Sequence, residues 1–95
     1  MRIIGRDKLT QAEQDYKGSG LGMALAAWVK VVEEAAWKHF PDLKLTWGKA
    51  DYVKPYVVFN IKGNDFRLTA TINYRLQTVL VERIQTHPEY TRKGP

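Results

Sequence analysis

Cysteine is absent, which excludes disulfide bonds and thiolate metal sites and leaves the chain indifferent to the redox state of its surroundings. No apolar run approaches the ~18 residues of a membrane span. The opening Met1-Arg2-Ile3-Ile4-Gly5 lacks the long apolar core of a signal peptide, so the expected location is the cytoplasm, with no membrane partner. Only two histidines occur, His39 and His87. They stand far apart with no carboxylates grouped around either, so neither a metal cluster nor a cofactor is expected. Repeats, low-complexity tracts and domain-dividing linkers are also missing, and 95 residues read as one domain, 1–95. Acidic side chains are the scarcer sign, 10 against 15 Lys and Arg, for a net charge of +5.

The basic excess is unevenly placed. Residues 1–47 carry seven Lys and Arg against six Asp and Glu, whereas residues 48–95 carry eight against four. A basic half-domain suits an anionic partner, either nucleic acid or an acidic protein segment, although a solvated basic surface gives the same count. With 44% hydrophobic residues the chain can bury a core.

Two periodicities divide the sequence. Met1–Gly5 reads as a short strand and residues 6–16 as a polar helix with Leu9, Ala12 and Tyr16 at helical spacing. Lys17-Gly18-Ser19-Gly20 breaks it, with Ser19 as a candidate N-cap. Over residues 21–38, Leu21, Leu25, Trp28, Val32 and Ala35 or Ala36 recur at steps of three and four, predicting one long amphipathic helix in which Glu34 meets Lys38. Pro41 and Asp42 begin a short helical turn, and Trp28, Trp37 and Trp47 read as core or hinge anchors. The period then changes to two, and residues 56–62, 65–74 and 77–86 read as three strands rich in Val, Ile, Phe, Thr and Tyr. The expected fold class is α+β, with the N-terminal helices packed on one face of a small antiparallel sheet.

A two-residue turn at Gly63-Asn64 pairs Asn60 with Arg67 and Phe59 with Leu68. Val57, Phe59, Ile61, Phe66, Leu68, Ala70 and Ile72 then share the face toward the helices. Asn60, Lys62, Arg67, Thr69, Thr71 and Asn73 share the other, with Tyr56 and Val58 toward one end. A second tight turn at Arg75-Leu76 places Val79 and Val81 with the core set, and Leu80, Glu82 and Ile84 with the polar set. Arginine and lysine beside amides and hydroxyls make a platform for phosphates, though a half-exposed sheet also looks like this for solubility alone.

On these residues the sequence resembles a known family. The run Val57-Val58-Phe59-Asn60-Ile61-Lys62-Gly63-Asn64-Asp65-Phe66-Arg67-Leu68 is similar to the central signature of the HigB toxins of bacterial toxin–antitoxin systems. So are Ile72-Asn73-Tyr74, Gln77 and the closing Thr86-His87-Pro88-Glu89-Tyr90; Met1-Arg2-Ile3-Ile4, Ala27-Trp28 and Trp37-Lys38 also fit. The resemblance implies a RelE-like fold and an mRNA interferase, an endoribonuclease that cuts translated mRNA on the ribosome. It also implies a cognate helix-turn-helix, HigA-like antitoxin that blocks the enzyme, with DNA contacted only through that antitoxin. Two departures stand out. The family commonly places a basic residue where this chain has Glu82, Arg83 being shifted to the adjacent, opposite-facing position. It also continues past Glu-Tyr with an Asp, where this chain has Thr91-Arg92-Lys93-Gly94-Pro95.

Such an enzyme works without metal if the substrate's own 2′-hydroxyl attacks the adjacent phosphorus, leaving a 2′,3′-cyclic phosphate. That requires a proton acceptor, cations for the phosphorane, and an acid for the departing 5′ oxygen. Arg67 is the expected charge-stabilising residue, against an ion pair with Glu82 or Asp65. Lys62 is a second phosphate contact or proton shuttle, or else a solvated lysine. His87 is acid or base, since histidine titrates near neutrality, or else a turn cap. Glu82 is a candidate base or a salt-bridge partner. Tyr90 either stacks on a base or closes the edge of the core, and Asn60, Asn64, Asn73 and Arg75 are expected RNA contacts. Two non-catalytic readings stay open: an RNA- or ribosome-binding module that has lost cleavage, and a domain whose basic half only seats an acidic antitoxin segment.

Overall fold

The computed structural model describes residues 1–95. The chain runs β1 (Arg2–Ile4), α1 (Arg6–Asp15), α2 (Leu21–Glu34), α3 (Phe40–Thr46), β2 (Ala50–Val53), β3 (Tyr56–Ile61), β4 (Phe66–Asn73), β5 (Thr78–Thr86) and α4 (His87–Lys93). The five strands form one sheet in the order β1-β5-β4-β3-β2. The expected α+β class holds, but the sheet is larger than the three strands read from alternation, and it is mixed. β1 lies parallel to β5, while every other pair is antiparallel. Three residues of β1 and four of β2 are too short to display a period, which is why β2 escaped the sequence reading.

α2 delivers the core. Its stripe of Leu21, Leu25, Trp28 and Val32 is buried, and Trp28 meets Phe59 of β3 edge-on with ring centroids 5.4 Å apart. Val57, Phe59, Ile61, Phe66, Leu68, Ala70, Val79 and Val81 face the same 18-residue cluster. Burying each such side chain contributes roughly 1.5–3 kcal/mol. The helix is shorter than the predicted span of 21–38. It stops at Glu34 because Ala35 turns extended, and the N-terminal ammonium donates to the carbonyl oxygens of Val32 and Ala35, both at 2.8 Å. A cation at a helix C-terminus satisfies carbonyls that have no partner in the helix. Glu34 and Lys38 therefore do not share a helical face. The extended segment instead carries Trp37 into the core, where its indole donates to Thr46 Oγ1 at 3.1 Å.

The β3–β4 hairpin has the predicted register: Ile61 pairs with Phe66, Asn60 with Arg67 and Phe59 with Leu68. The positive φ angles fall one residue early, on Lys62 (55°) and Gly63 (64°), and the turn closes by Asp65 N–H donating to Lys62 C=O. Parity is the same for a two- or four-residue loop on this centre, so the facing survives the shift.

The β4–β5 hairpin begins as predicted, with Asn73 opposite Thr78 and Ala70 opposite Val81. It then breaks. Thr69 pairs with Arg83, so Glu82 is an extra residue, and from there Leu68 pairs with Ile84 and Arg67 with Gln85. A bulge of one residue reverses the facing of everything beyond it. Ile84, expected among the polar set, packs against the core. Arg83, expected to face the opposite way from that set, joins Thr69 on the outer face. At the bulge the Val81 carbonyl also meets the β1–α1 turn: Gly5 sits there at φ 91°, and a Cβ on it would stand 2.9 Å from that oxygen.

Candidate nucleic-acid cleavage site

The outer face of the sheet, opposite α2, is as dry in its middle as the inner one. Val58 and Thr69 are fully buried, and Arg67 and Gln85 are only 8% and 9% exposed. Register explains which groups meet. Arg67 and Gln85 form one cross-strand pair and Thr69 and Arg83 the next, so four polar side chains make a small quadrilateral on β4 and β5. Each guanidinium lies over a tyrosine ring, Arg83 over Tyr56 at 5.6 Å and Arg67 over Tyr90 at 5.8 Å.

Tyr90 reaches this face because residues 87–93 are helical, an element that the strand-and-turn reading did not anticipate. Thr86 caps α4: its hydroxyl accepts from Glu89 N–H at 3.3 Å, while Glu89 Oε1 accepts from Thr86 N–H at 3.0 Å. Thr86-His87-Pro88-Glu89 is a capping-box sequence with proline in the first turn, and that signal was present in the sequence. Glu89 Oε1 also accepts from Tyr16 O–H at 3.0 Å, tying α4 to the end of α1. These bonds, led by the Thr86 amide, hold the Glu89 carboxyl below the usual carboxylate range. Burial first, and then the bond to Glu89, push the Tyr16 phenol up.

Beside the capped turn, Asn64 connects two candidate residues. Arg67 donates from Nη2 to Asn64 Oδ1 at 2.7 Å and from Nη1 to the carbonyls of Asn64 and Phe66 at 3.0 and 3.1 Å. With Oδ1 accepting, Asn64 turns Nδ2 toward His87 Nδ1, a long contact of 3.4 Å. Arg67, Asn64, His87 and Tyr90 thus form one group at the end of the sheet. Arg67 is not the open cation expected on the sequence. Three of its five N–H donors are spent on oxygens of Asn64 and Phe66, and it pairs with neither Asp65 nor Glu82.

The other candidates are dispersed. Asn60 stands across from Arg67 and is partly exposed. Lys62 leaves the outer face: Nζ pairs with Asp65 at 3.1 Å, and its stem runs so close to α2 that a Cβ on Gly20 would stand 3.0 Å from Cε. The positive φ of Lys62 takes it out of strand alternation, so it does not lie side by side with Asn60 and Arg67. Glu82, at the bulge, accepts from Thr71 Oγ1 at 3.2 Å. Asn73 and Arg75 belong to the far end of β4, where Asn73 Oδ1 accepts the Leu76 N–H at 2.9 Å.

Arg83 and Gln85 were missed as site residues, though the signal is legible afterwards. Core residues at 79 and 81 are followed by one at 84, and a step of three within a strand marks a bulge. Three buried polar atoms on this face lack any partner, namely Thr69 Oγ1, Arg83 Nη1 and Gln85 Oε1. No group of three His, Cys, Asp or Glu residues is arranged to hold a metal ion, and no helix is long and apolar enough to cross a membrane.

The chain is 26% identical over 93 residues to the mRNA interferase toxin HigB of Escherichia coli K12, covering 95% of this chain and 88% of that protein. The proteins named mRNA interferase HigB from Escherichia coli O157:H7 and Shigella flexneri match to the same extent. Residues 22–93 match the model of the HigB toxins, described as the RelE-like toxic component of a toxin–antitoxin system. That span holds all but the first residue of α2, four of the five strands and the whole outer-face cluster, and the chain belongs to the HigB toxin family.

Proposed function

We propose that this chain is an endoribonuclease that cleaves mRNA and that the outer-face cluster is its active site. The observation that carries the reading is Arg83, a guanidinium turned onto the outer face by the bulge, diagonal to Arg67 across the strand pair, with Nη1 buried and unpartnered. A half-buried guanidinium with an unpaired, buried Nη1, on the same face as a second arginine, fits the nonbridging oxygens of a phosphodiester. The names carried by the relatives, mRNA interferases, point the same way.

In this reading the substrate's 2′ oxygen attacks the adjacent phosphorus while the bond to the 5′ oxygen breaks, leaving a 2′,3′-cyclic phosphate. Arg83 takes the charge that grows on the phosphorane. Arg67 holds the Asn64–His87 arrangement and offers its remaining Nε–H and Nη2–H to the strand. Asn64 Nδ2 facing His87 Nδ1 makes that nitrogen the acceptor, so the ring presents Nε2–H, which hydrogen-bonds the leaving 5′ oxygen while water supplies its proton. Glu82, next to Arg83, is the carboxylate assigned to receive the 2′ proton. Tyr90 and Asn60 border the cluster as base and sugar contacts, while Lys62, Asn73 and Arg75 contribute at most outlying phosphate contacts.

The family likeness supplies the rest of the proposal: message engaged on the ribosome in the cytoplasm, and a helix-turn-helix antitoxin as the inhibitory partner. One ground for a non-catalytic alternative was Glu82 standing where the family commonly has a basic residue; Arg83 on the outer face supplies a cation there and favours the catalytic reading.

The test is to incubate purified chain with a labelled message, with and without translating ribosomes, and to map the ends by primer extension. Cuts with cyclic phosphate termini are expected, and expression of the chain alone should arrest bacterial growth. Intact message under both conditions, with folded protein, would overturn the proposal.

A further inference from the structure

Gln85 has no role in the chemistry proposed above, yet it occupies the centre of the cluster. It is the cross-strand partner of Arg67, two residues along the same strand from Arg83 and diagonal to Thr69. Only 9% of it is exposed, and its Oε1 is buried with no donor within reach. Of the four buried side-chain polar atoms without a partner, three belong to this quadrilateral and the fourth is the Trp28 indole nitrogen. Buried polar atoms are rarely left unpaired, because the lost hydration is then not recovered. Three in one patch mark a surface completed by something else.

The chemistry of the unpaired atoms is not uniform. Arg83 Nη1 is a donor and suits a phosphate oxygen. Gln85 Oε1 is an acceptor, and a phosphodiester has no donor to offer it. The backbone group that stands next to a phosphate and carries an O–H is the ribose 2′-hydroxyl, the group that distinguishes RNA from DNA. Base donors lie a full sugar further away. We infer that Gln85 holds the 2′-hydroxyl of the bound strand, accepting its O–H at Oε1 while Arg83 and Arg67 hold the adjoining phosphate; this rests on reading the outer face as the RNA site. A neutral amide does not take up the proton. Gln85 is therefore a positioning residue that holds the 2′-hydroxyl beside phosphorus in the bound state. The single O–H then turns from Oε1 to the Glu82 carboxylate, which takes the proton as O2′ attacks. The bond formed is O2′–P, the bond broken is P–O5′, and the amide is unchanged.

Gln85→Met keeps length and removes the acceptor. Two uncleavable oligonucleotides of one sequence serve as probes, one with 2′-amino groups (donor kept) and one with 2′-fluoro groups (donor lost). Differences in sugar pucker are common to both proteins and cancel. The parent is expected to bind the 2′-amino strand about tenfold more tightly, and Gln85→Met to bind both as the parent binds the 2′-fluoro strand. Cleavage of RNA by Gln85→Met should fall at least about tenfold. Its melting temperature should equal or exceed the parent's, because an apolar side chain replaces an unpaired buried amide. A merely structural glutamine would instead lose stability and both affinities together, and that result overturns the inference. So does a parent with no 2′-amino preference, or a variant that retains one. If the parent cuts no RNA but keeps a Gln85-dependent preference, the nuclease proposal falls and this one stands. Undiminished cleavage by Gln85→Met gives the converse.

Discussion

The two faces of the sheet are both dry, but they are dry for different reasons. Toward α2, Phe59, Leu68, Val79 and Val81 exclude water by packing against Leu25, Trp28 and Val32, and almost nothing polar is trapped. On the outer face the same strands exclude water around Arg67, Thr69, Gln85 and one end of the half-buried Arg83, and several of their polar atoms are left unmatched. The first kind of burial stabilises the fold. The second weakens it and makes sense only where a ligand completes the hydrogen bonding. Substitutions on the two faces should therefore separate stability from activity.

The largest effect is expected from Trp28→Ala on the helical face. Trp28 is fully buried and packs edge-on to Phe59, and deleting such a ring costs about 3–5 kcal/mol. Against a total of roughly 5–15 kcal/mol for a small domain, that removes a large share of the stability. Urea denaturation followed by circular dichroism measures the change. A loss below about 1 kcal/mol, as for an ordinary surface position, would refute the claim that this face carries the fold.

Arg83→Ala should do the reverse. The guanidinium takes part in none of the ion pairs, and its contact with the Tyr56 ring contributes roughly 0.5–1 kcal/mol. Removing a preorganised cation from a developing phosphorane should cost about 100-fold or more in cleavage rate, with a melting temperature close to the parent's. An active Arg83→Ala variant would show that the bulge serves the fold alone.

How far the sequence revealed these two faces depends on which hairpin is considered. The β3–β4 register was legible because Gly63 marks the loop and apolar residues alternate cleanly on both sides; a misplaced positive φ left parity intact. The β4–β5 hairpin was legible only as far as Val81. A bulge has no residue code of its own, and Glu82 is as suited to a regular strand as to a kink, so Ile84 and Arg83 were assigned to the wrong sides. Burial of Arg67 escaped notice for a different reason. It depends on α4 and on the Asn64 loop folding back over the strand, contacts that no local pattern encodes. The end of α2 was misplaced because its last carbonyls are capped by a group 31 residues away in sequence.

Between the two faces lies α4, which carries His87 and Tyr90 and is held by Glu89. Glu89→Ala removes both the capping bond and the tie to Tyr16, a loss of about 1 kcal/mol, and cleavage should fall as the helix loosens. The parent should also show this loss in acid. A carboxyl whose folded pKa is depressed contributes stability above its unfolded value, here 4.5, and loses it as pH falls through the folded value. Tyr16, raised from 10.0, contributes below that value and loses its contribution as pH climbs through the folded one. Docking of α4 is thus predicted to be intact between about pH 5 and 10, and to weaken on either side. Amide hydrogen exchange across residues 87–93 follows it, and an acid loss that persists in Glu89→Ala would assign the dependence elsewhere.

The smallest effects are expected at the far end of β4. Asn73 accepts the Leu76 N–H across an exposed turn, and Arg75 projects into solvent from the same turn. Asn73→Ala should cost roughly 0.5–1 kcal/mol of stability, the usual value of one turn hydrogen bond, and Arg75→Ala less. Neither residue shares a cross-strand pair or a hydrogen bond with Arg67, Arg83 or His87. Purified Asn73→Ala and Arg75→Ala should therefore cut message within about twofold of the parent, as surface positions outside a site do. A tenfold loss in either would mean that the RNA path runs the whole length of β4 and that the dry patch is only its centre. The division between a face for folding and a compact face for chemistry would then have been drawn too sharply.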